Sequence, residues 1–353
     1  MFDYTGCIHF HSSYSYDAYQ PVEKIVQAGL KTGLDYAILT DHFNLDARRD
    51  GWERYHEAGG KRLLLMVGEE ISPRYNHYLA LQLREPLVVP KTELHPQQMI
   101  DAVSAKGGFG FIAHPDHGGA PFAGVRAYPW LDWNVTGFSG MSIWDLMGDW
   151  ISNLDSPWGI LKGLLAPSYV LNGPRVETLR RWDELTQRSH CVAIGEIDNH
   201  GTRKRVLGIP RTVFPFEYAF RTIRTHVLLP QALTGELEKD RAAVLAALKQ
   251  GRSYISFDRW NDPRGFKFDI FDASRRVSMG EEITRSGPLL VEAKLPRRGC
   301  IRLIRNGRII REERGRAYLE RDVDLPGVYR LEVDQRVCGR WRPWIYTNPI
   351  WVR

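Results

Sequence analysis

The feature that most constrains this chain is a recurrence: short apolar runs that each stop at His, Asp or Glu. They end at His9 and His11 in GCIHFHS, Asp41-His42 in YAILTDH, Glu69-Glu70 in MVGEEIS, His114 in FGFIAHP, and Asp198 with His200 in AIGEIDNHG. His77 in YNHYLAL adds a sixth segment. The runs Tyr36 to Leu39, Leu63 to Val67, Phe109 to Ala113 and Cys191 to Ile194 have the length and uncharged character of buried parallel strands. Between them lie helical patterns. In Pro21 to Thr32, Val22, Ile25, Val26 and Leu30 recur at helix spacing, and Pro96 to Lys106 and Arg175 to Gln187 read the same way. Gly33, Gly107 and Gly108 fit helix C-caps. The alternation predicts an α/β fold with polar side chains at the C-terminal ends of its strands, where such folds place their sites. Ligands from strands far apart in sequence must meet at one point. Closure around an axis achieves that, so a barrel is expected rather than an open sheet.

Imidazole and carboxylate donors suit zinc, manganese or iron. Alternate strand residues share a face, so His9 and His11 are expected to address one ion, and Asp198 and His200 likewise. Each segment alone is a weak signal; their repetition at successive strand ends carries the reading. His56, His95, His190 and His226 are read as surface or core residues, and His117 as a loop histidine. Asp17, in SSYSYDAY, would cap a turn or bind a metal, and is read as a ligand. No Ser or Cys nucleophile with a matching base is evident, which favours direct attack by water.

In order and strand context these segments resemble the PHP superfamily, named for polymerase and histidinol phosphatase: HxH, a downstream acidic position, TDH, G-x-E, a His in an apolar strand, AHP and DxH. The resemblance implies a distorted TIM-like (β/α)7 barrel holding two or three divalent metal ions. It assigns His9, His11, Glu70 and Asp198 to one ion, Glu70, His77 and His114 to a second, and Asp17, His42 and His200 to a third. Glu69 and Glu70 point opposite ways on a strand, and the G-x-E pattern selects Glu70 as the bridge. Asp41 would orient a ligand, and Asp198 or His200 would relay a proton to the leaving group. The C-terminal order of elements resembles the branch that includes carbaryl hydrolase (CehA/McbA-like). The implied activity is a metal-dependent phosphoesterase using a metal-bound hydroxide. The same donors would serve a carbamate or carboxylic ester hydrolase, and a nucleic-acid-associated PHP module is a third reading.

At 353 residues there is room for a barrel over 1–262 and a second domain over 263–353, expected to be a β-sandwich. The strings KFDIF, LLVEAKL, GVYRLEVD and PWIYTNPIWV alternate as strands do, and Arg305-Asn306-Gly307-Arg308 is an Asn-Gly hairpin signal. The stretch 118–172 is long for a β/α connection and carries Trp130, Trp133, Trp144, Trp150 and Trp158; it is expected to be an insertion that serves as lid or packing. The net charge of +6 belongs to the C-terminal part, which carries +7 from residue 265 onward. No nucleic-acid motif accompanies that charge, so a solvated Arg-rich face is expected rather than nucleic-acid binding. No apolar run reaches membrane-spanning length and no signal peptide is evident, so no membrane partner is expected. Cys7, Cys191, Cys300 and Cys338 are scattered, as in cytoplasmic proteins. The expected partner is a small-molecule ester, anionic or aromatic.

Overall fold

The computed structural model describes residues 1–87, 95–206, 209–323 and 325–353. Its strands begin with β1 (Phe2–Ile8), β2 (Tyr36–His42), β3 (Arg54–Ala58), β4 (Lys61–Ile71), β5 (Tyr78–Leu81), β6 (Phe109–Ile112), β7 (Gly140–Asp145) and β8 (Val192–Glu196). A separate two-stranded pair follows, β9 (Arg203–Val206) with β10 (Ile209–Thr212), then β11 (Ile223–Leu229) and β12 (Ser253–Phe257). Helices Val22–Thr32, Pro96–Ala105, Val176–Arg188 and Leu237–Gln250 lie between strands. The first buries Val22, Ile25, Val26 and Leu30 on one face and ends at Gly33, whose φ of 72° satisfies the last carbonyls. The result is a mixed α/β protein with one large sheet.

The strand order differs from an alternating barrel. β1–β2, β2–β4, β6–β7 and β7–β8 are parallel, but β3 and β5 are antiparallel to their neighbours. The cause is connection length. Gly59-Gly60, both at positive φ, form a two-residue hairpin between β3 and β4, and the short Ser72–His77 link cannot carry a parallel crossover. Nor does the ladder close. Between β1 and β8 the described residues show only the bridge Phe10–Asn199 and the bond from Ile197 N to Ile8 O. At that seam His9 (φ 63°) and Asp198 (φ 44°) leave the extended conformation, which ends regular pairing there.

The stretch 118–172 is not one insertion. It contains β7, a fully buried strand between β6 and β8, and the helix Leu146–Ile151 that leads away from it. The strand GMSIWD is short and sits among Pro, Gly and Trp residues, which hid it.

The C-terminal strands are β13 (Lys267–Phe271), β14 (Arg276–Ser278), β15 (Glu282–Ile283), β16 (Leu289–Arg305), β17 (Arg308–Val323), β18 (Gly327–Val337), β19 (Arg340–Thr347) and β20 (Ile350–Val352). They enclose a core that includes Phe268, Val291, Leu303, Leu331, Trp344 and Ile350. They do not form a separate sheet: β19 pairs with β12, which joins them to the same 18-stranded sheet. Asn306 (φ 50°) and Gly307 (φ 76°) form the β16–β17 turn, with Arg305 paired to Arg308. No helix among the described residues is long and apolar enough to cross a membrane. Cys7 and Cys191 are buried free thiols whose pKa burial pushes up to about 12.

Remote from the histidine cluster, His226 of β11 is fully buried between two carboxylates. Its Nδ1 lies 2.8 Å from Asp3 Oδ1 and its Nε2 3.2 Å from Asp258 Oδ2, while Tyr254 stacks on the ring and donates to Asp3. Burial opposes the charged ring, but Asp258 and Asp3 outweigh it and raise its pKa to about 9. A pKa raised above the unfolded value of about 6.5 stabilises the folded chain below that pH, and the contribution fades as pH rises through about 9. The difference corresponds to roughly 3 kcal/mol. The stability gap between wild type and His226→Gln is therefore expected to shrink by about that amount between pH 6 and 10 in urea unfolding. A gap that does not change with pH would mean the ring is neutral in the folded state.

Candidate metal centre

The strand ends deliver their polar residues to one point by different local routes. β1 stops at Ile8, and His9 turns through a positive φ, so His9 and His11 are not alternate residues of a strand. They converge nevertheless, with 3.2 Å between their Nε2 atoms. His11 N is tied to Asn199 O, and Phe10 O accepts from Thr40 N, which locks this segment between β2 and the end of β8. His114 (φ 25°) and Asp198 share the unusual backbone. Non-glycine residues held there cost about 1–3 kcal/mol each, and three of them in one cluster mark a site whose geometry the fold maintains against local preference.

Glu70 is the hub. On β4 it points inward, whereas Glu69 points away and accepts from Leu87 N. Its Oε2 lies 3.4 Å from both His9 Nε2 and His11 Nε2 and 2.9 Å from His42 Nδ1. Its Oε1 lies 2.8 Å from His77 Nδ1 and 3.3 Å from His114 Nε2. Asp198 Oδ1 approaches His9 and His11 at 3.3 and 3.4 Å. Asp17 Oδ2 reaches His42 at 3.3 Å and His200 at 3.5 Å from the more exposed side. His11 stacks between His42 and His200. His9, His11, Asp17, His42, Glu70, His77, His114, Asp198 and His200 therefore all come together.

Three donor groups have ligand atoms within 4.8 Å of one another: His9, His11 and Glu70; Glu70, His77 and His114; and His11, His42 and His200. Glu70 Oε2 and His42 Nε2 are buried without a hydrogen-bond partner. Buried polar atoms are rarely left so, and these two suit coordination to a cation. The electrostatics agree. Burial opposes charge on every group, yet Glu70, Asp198 and Glu196 raise the His9 pKa, and His9, His77 and His42 hold Glu70 well below the usual carboxylate range. Burial lowers the pKa of His11 and His77, while the neighbouring carboxylates raise those of His9, His42, His114 and His200. Protons on these four supply positive charge that a divalent ion in the same place would supply instead.

Asp41 stands apart from the reach of a substrate. It accepts from Ser12 N, Ser12 Oγ and Ser15 Oγ, and Ser15 Oγ in turn lies 3.3 Å from His11 Nδ1. Asp41 fixes the His11 loop through Ser15.

Glu196 also belongs to the centre, though it is not among the residues expected from the sequence. Fully buried, it accepts from His9 Nδ1 at 2.7 Å and from His114 N at 2.6 Å, so it sets the tautomer and aim of His9. It is the last residue of β8, so its place as an acid at a strand end was the one signal in the sequence, and that signal does not separate it from any other charge there. Ser72 Oγ sits 2.8 Å from His42 Nδ1, and Tyr16 stacks on the His42 ring. His117, read as a loop residue, is buried against His114 and Tyr128, and burial lowers its pKa to about 4. A cavity of about 480 Å³ opens beside His114; His117, Trp144, Asp145, Asp149 and Arg175 are among its walls. Of the five tryptophans in 118–172, only Trp144 lines it. Asp145 caps helix Leu146–Ile151 through Met147 N and Gly148 N.

Residues 8–118 match the PHP domain. That segment is under a third of the chain and includes His9 through His114; Asp198 and His200 lie beyond it. In three dimensions the chain is similar to a Bifidobacterium adolescentis protein provisionally described as a metal-dependent phosphoesterase, at 14% identity over 56% of this chain and 87% of that one, with a TM-score of 0.34. It is also similar to Endonuclease Q, in a complex with a 27-mer duplex carrying an abasic lesion, at 12% identity over 69% of this chain and 57% of that one, with a TM-score of 0.35. Both likenesses are partial. No curated protein matches the chain in sequence.

Proposed function

We propose that this chain is a metal-dependent hydrolase, and that its substrate is a small phosphate ester. The observation that carries the reading is the sharing of Glu70 and His11 among three groups of donor atoms, two of those atoms being buried and unpartnered. His9, His11, Glu70 and Asp198 would hold one divalent ion, Glu70, His77 and His114 a second, and His42 and His200 with Asp17 a third. Bound there, zinc, manganese or iron would acidify a coordinated water and offset charge on the attacked group. The carboxylates that would ligate the ions are Glu70, Asp198 and Asp17, and Glu196 stands behind His9. These four negative charges offset two divalent ions but not three, so a centre holding three ions would favour an anionic phosphoryl group over a neutral carbonyl.

The remaining residues position and exclude. Glu196 holds His9 from behind, Ser15 and Asp41 hold His11, and Ser72 holds His42. His200, at the more open side and with its pKa raised by Asp17 and Asp198, would pass a proton to a departing alkoxide, while Asp198, held well below the usual carboxylate range, would stay charged. The sheet, bridged at Phe10–Asn199, is read as a distorted barrel over 1–262, with 263–353 as its support. Trp144 in the cavity wall favours the second reading, a carbamate or carboxylic ester with a planar group.

The test is a panel of nitrophenyl phosphates and naphthyl carbamates, assayed with protein reconstituted with each metal. Metal-dependent turnover of phosphates is expected to exceed that of carbamates. Faster carbamate turnover would select the second reading, and less than one metal bound per chain would remove both. Glu196→Gln is expected to weaken zinc affinity about 10- to 100-fold in titration calorimetry while leaving the unfolding temperature nearly unchanged. Unaltered affinity would mean that His9 is held by other contacts.

A further inference from the structure

Helix Pro157–Leu165 is an exception to the rule that a surface helix buries its apolar stripe. Only Gly163 is buried, packed on Trp150 and Leu154. Trp158 is 71% exposed, Leu161 44%, Leu164 40% and Leu165 76%, and Tyr169 on the next short helix is 42% exposed. Trp158, Leu161 and Leu165 recur at helical spacing, so they share a face, and the most exposed of them protrude rather than line a groove. Contiguous apolar surface of this kind marks an interaction site.

Its rim is basic. Lys162 lies within the helix. Tyr169 contacts Cys338 at the turn before Arg340, and its ring meets Trp260 beside Arg259. Arg342 donates to Leu171 O. Among the described residues none of Lys162, Arg259, Arg340 and Arg342 has a carboxylate partner within salt-bridge distance; of the exposed acids near them in sequence, Asp155 precedes the helix and Asp262 is paired with Arg264. A second copy of the chain would set like charges against one another across a two-fold contact. A protruding apolar face with Trp at one end and cations around it instead has the composition of a helix that lies in a lipid interface.

We propose that this face docks on an anionic lipid bilayer. The apolar side chains enter the acyl boundary while Lys162, Arg259, Arg340 and Arg342 meet the headgroups. No spanning segment is needed. The helix packs against Leu146–Ile151, where Trp150 Nε1 donates to Gly163 O, and the first turn of that second helix borders the cavity beside His114. The inference stands independently of the proposed reaction.

The test is flotation of the metal-loaded full chain with two vesicle types: phosphatidylcholine alone, and phosphatidylcholine with about a third phosphatidylserine. Binding is expected only to the second and is expected to fall with added salt. The triple variant Trp158→Ser, Leu161→Ser, Leu165→Ser is expected to lose more than about tenfold in partitioning. Arg340→Gln with Arg342→Gln is expected to lose about tenfold. Trp158→Ser alone carries the comparison if the triple variant fails to fold. Three results overturn the proposal: no wild-type binding to anionic vesicles at low salt, binding indifferent to the apolar substitutions, or wild-type self-association that those substitutions abolish.

Discussion

Glu70→Ala is expected to reduce metal-dependent turnover by at least about a thousandfold, while Glu69→Ala stays within about tenfold of wild type. The two residues are adjacent on β4, so the pair isolates side-chain direction from every other variable. Glu70 faces five imidazoles, each with a ring nitrogen 3.4 Å or less from one of its oxygens. Removing it takes a ligand from two donor groups at once and leaves their histidines to repel one another in a buried site. Glu69 faces the other way; burial raises its pKa to about 7 and Leu87 N is its partner. Its loss affects the chain near Leu87 rather than the centre. Metal content by elemental analysis should follow activity, falling in Glu70→Ala and holding in Glu69→Ala. The reverse ranking would show that the chemistry lies on the opposite face of β4.

Which parts of this were legible in the sequence depended on whether the signal was local. The Asn306-Gly307 turn and the Gly33 cap were visible because backbone conformation there is set by the residues themselves. The apolar runs of β2, β4, β6 and β8 were visible because a strand buried on both faces has no polar position to confuse it. The convergence of their ends was inferred from repetition, and the nine residues do meet. The route was not legible. His9 and Asp198 reach the centre through left-handed backbone, an outcome fixed by tertiary contacts such as Thr40 N to Phe10 O. β7 was lost because six residues among tryptophans and glycines carry no period of their own. The antiparallel β3 and β5 were missed because helix-strand alternation was extended across links too short for a helix. Glu196 was passed over because a buried acid that serves a histidine looks, in sequence, like any charge at a strand end.

Breaking the Arg330–Asp183 pair is expected to cost about 3–5 kcal/mol in urea unfolding. Arg330 of β18 is buried, with its guanidinium 5.2 Å from the Trp182 ring centre. Nε and Nη2 donate to the two oxygens of Asp183 at 2.6 and 2.8 Å, and Nη1 donates to Glu332 at 2.7 Å. Asp183 belongs to helix Val176–Arg188, so the pair ties the C-terminal strands to a helix of the α/β part. Asp183→Ala leaves a buried cation with one partner, the costly state, because desolvation is not recovered. Arg330→Met with Asp183→Leu removes both charges and is expected to recover most of the loss, since apolar replacement of a whole buried pair is often neutral. Single variants that cost no more than an exposed pair, about 1 kcal/mol, would mean water reaches the pair. The helix has a second role that makes the comparison informative. Its first turn, with Val176, Glu177 and Thr178, walls the cavity beside His114, and Thr178 is hydrogen-bonded to Asp116. A C-terminal region that serves only as support predicts that the double variant, once folded, keeps wild-type kcat, with any change confined to KM as the cavity wall shifts. A fall in kcat in a stably folded double variant would instead place the helix in control of the reacting groups.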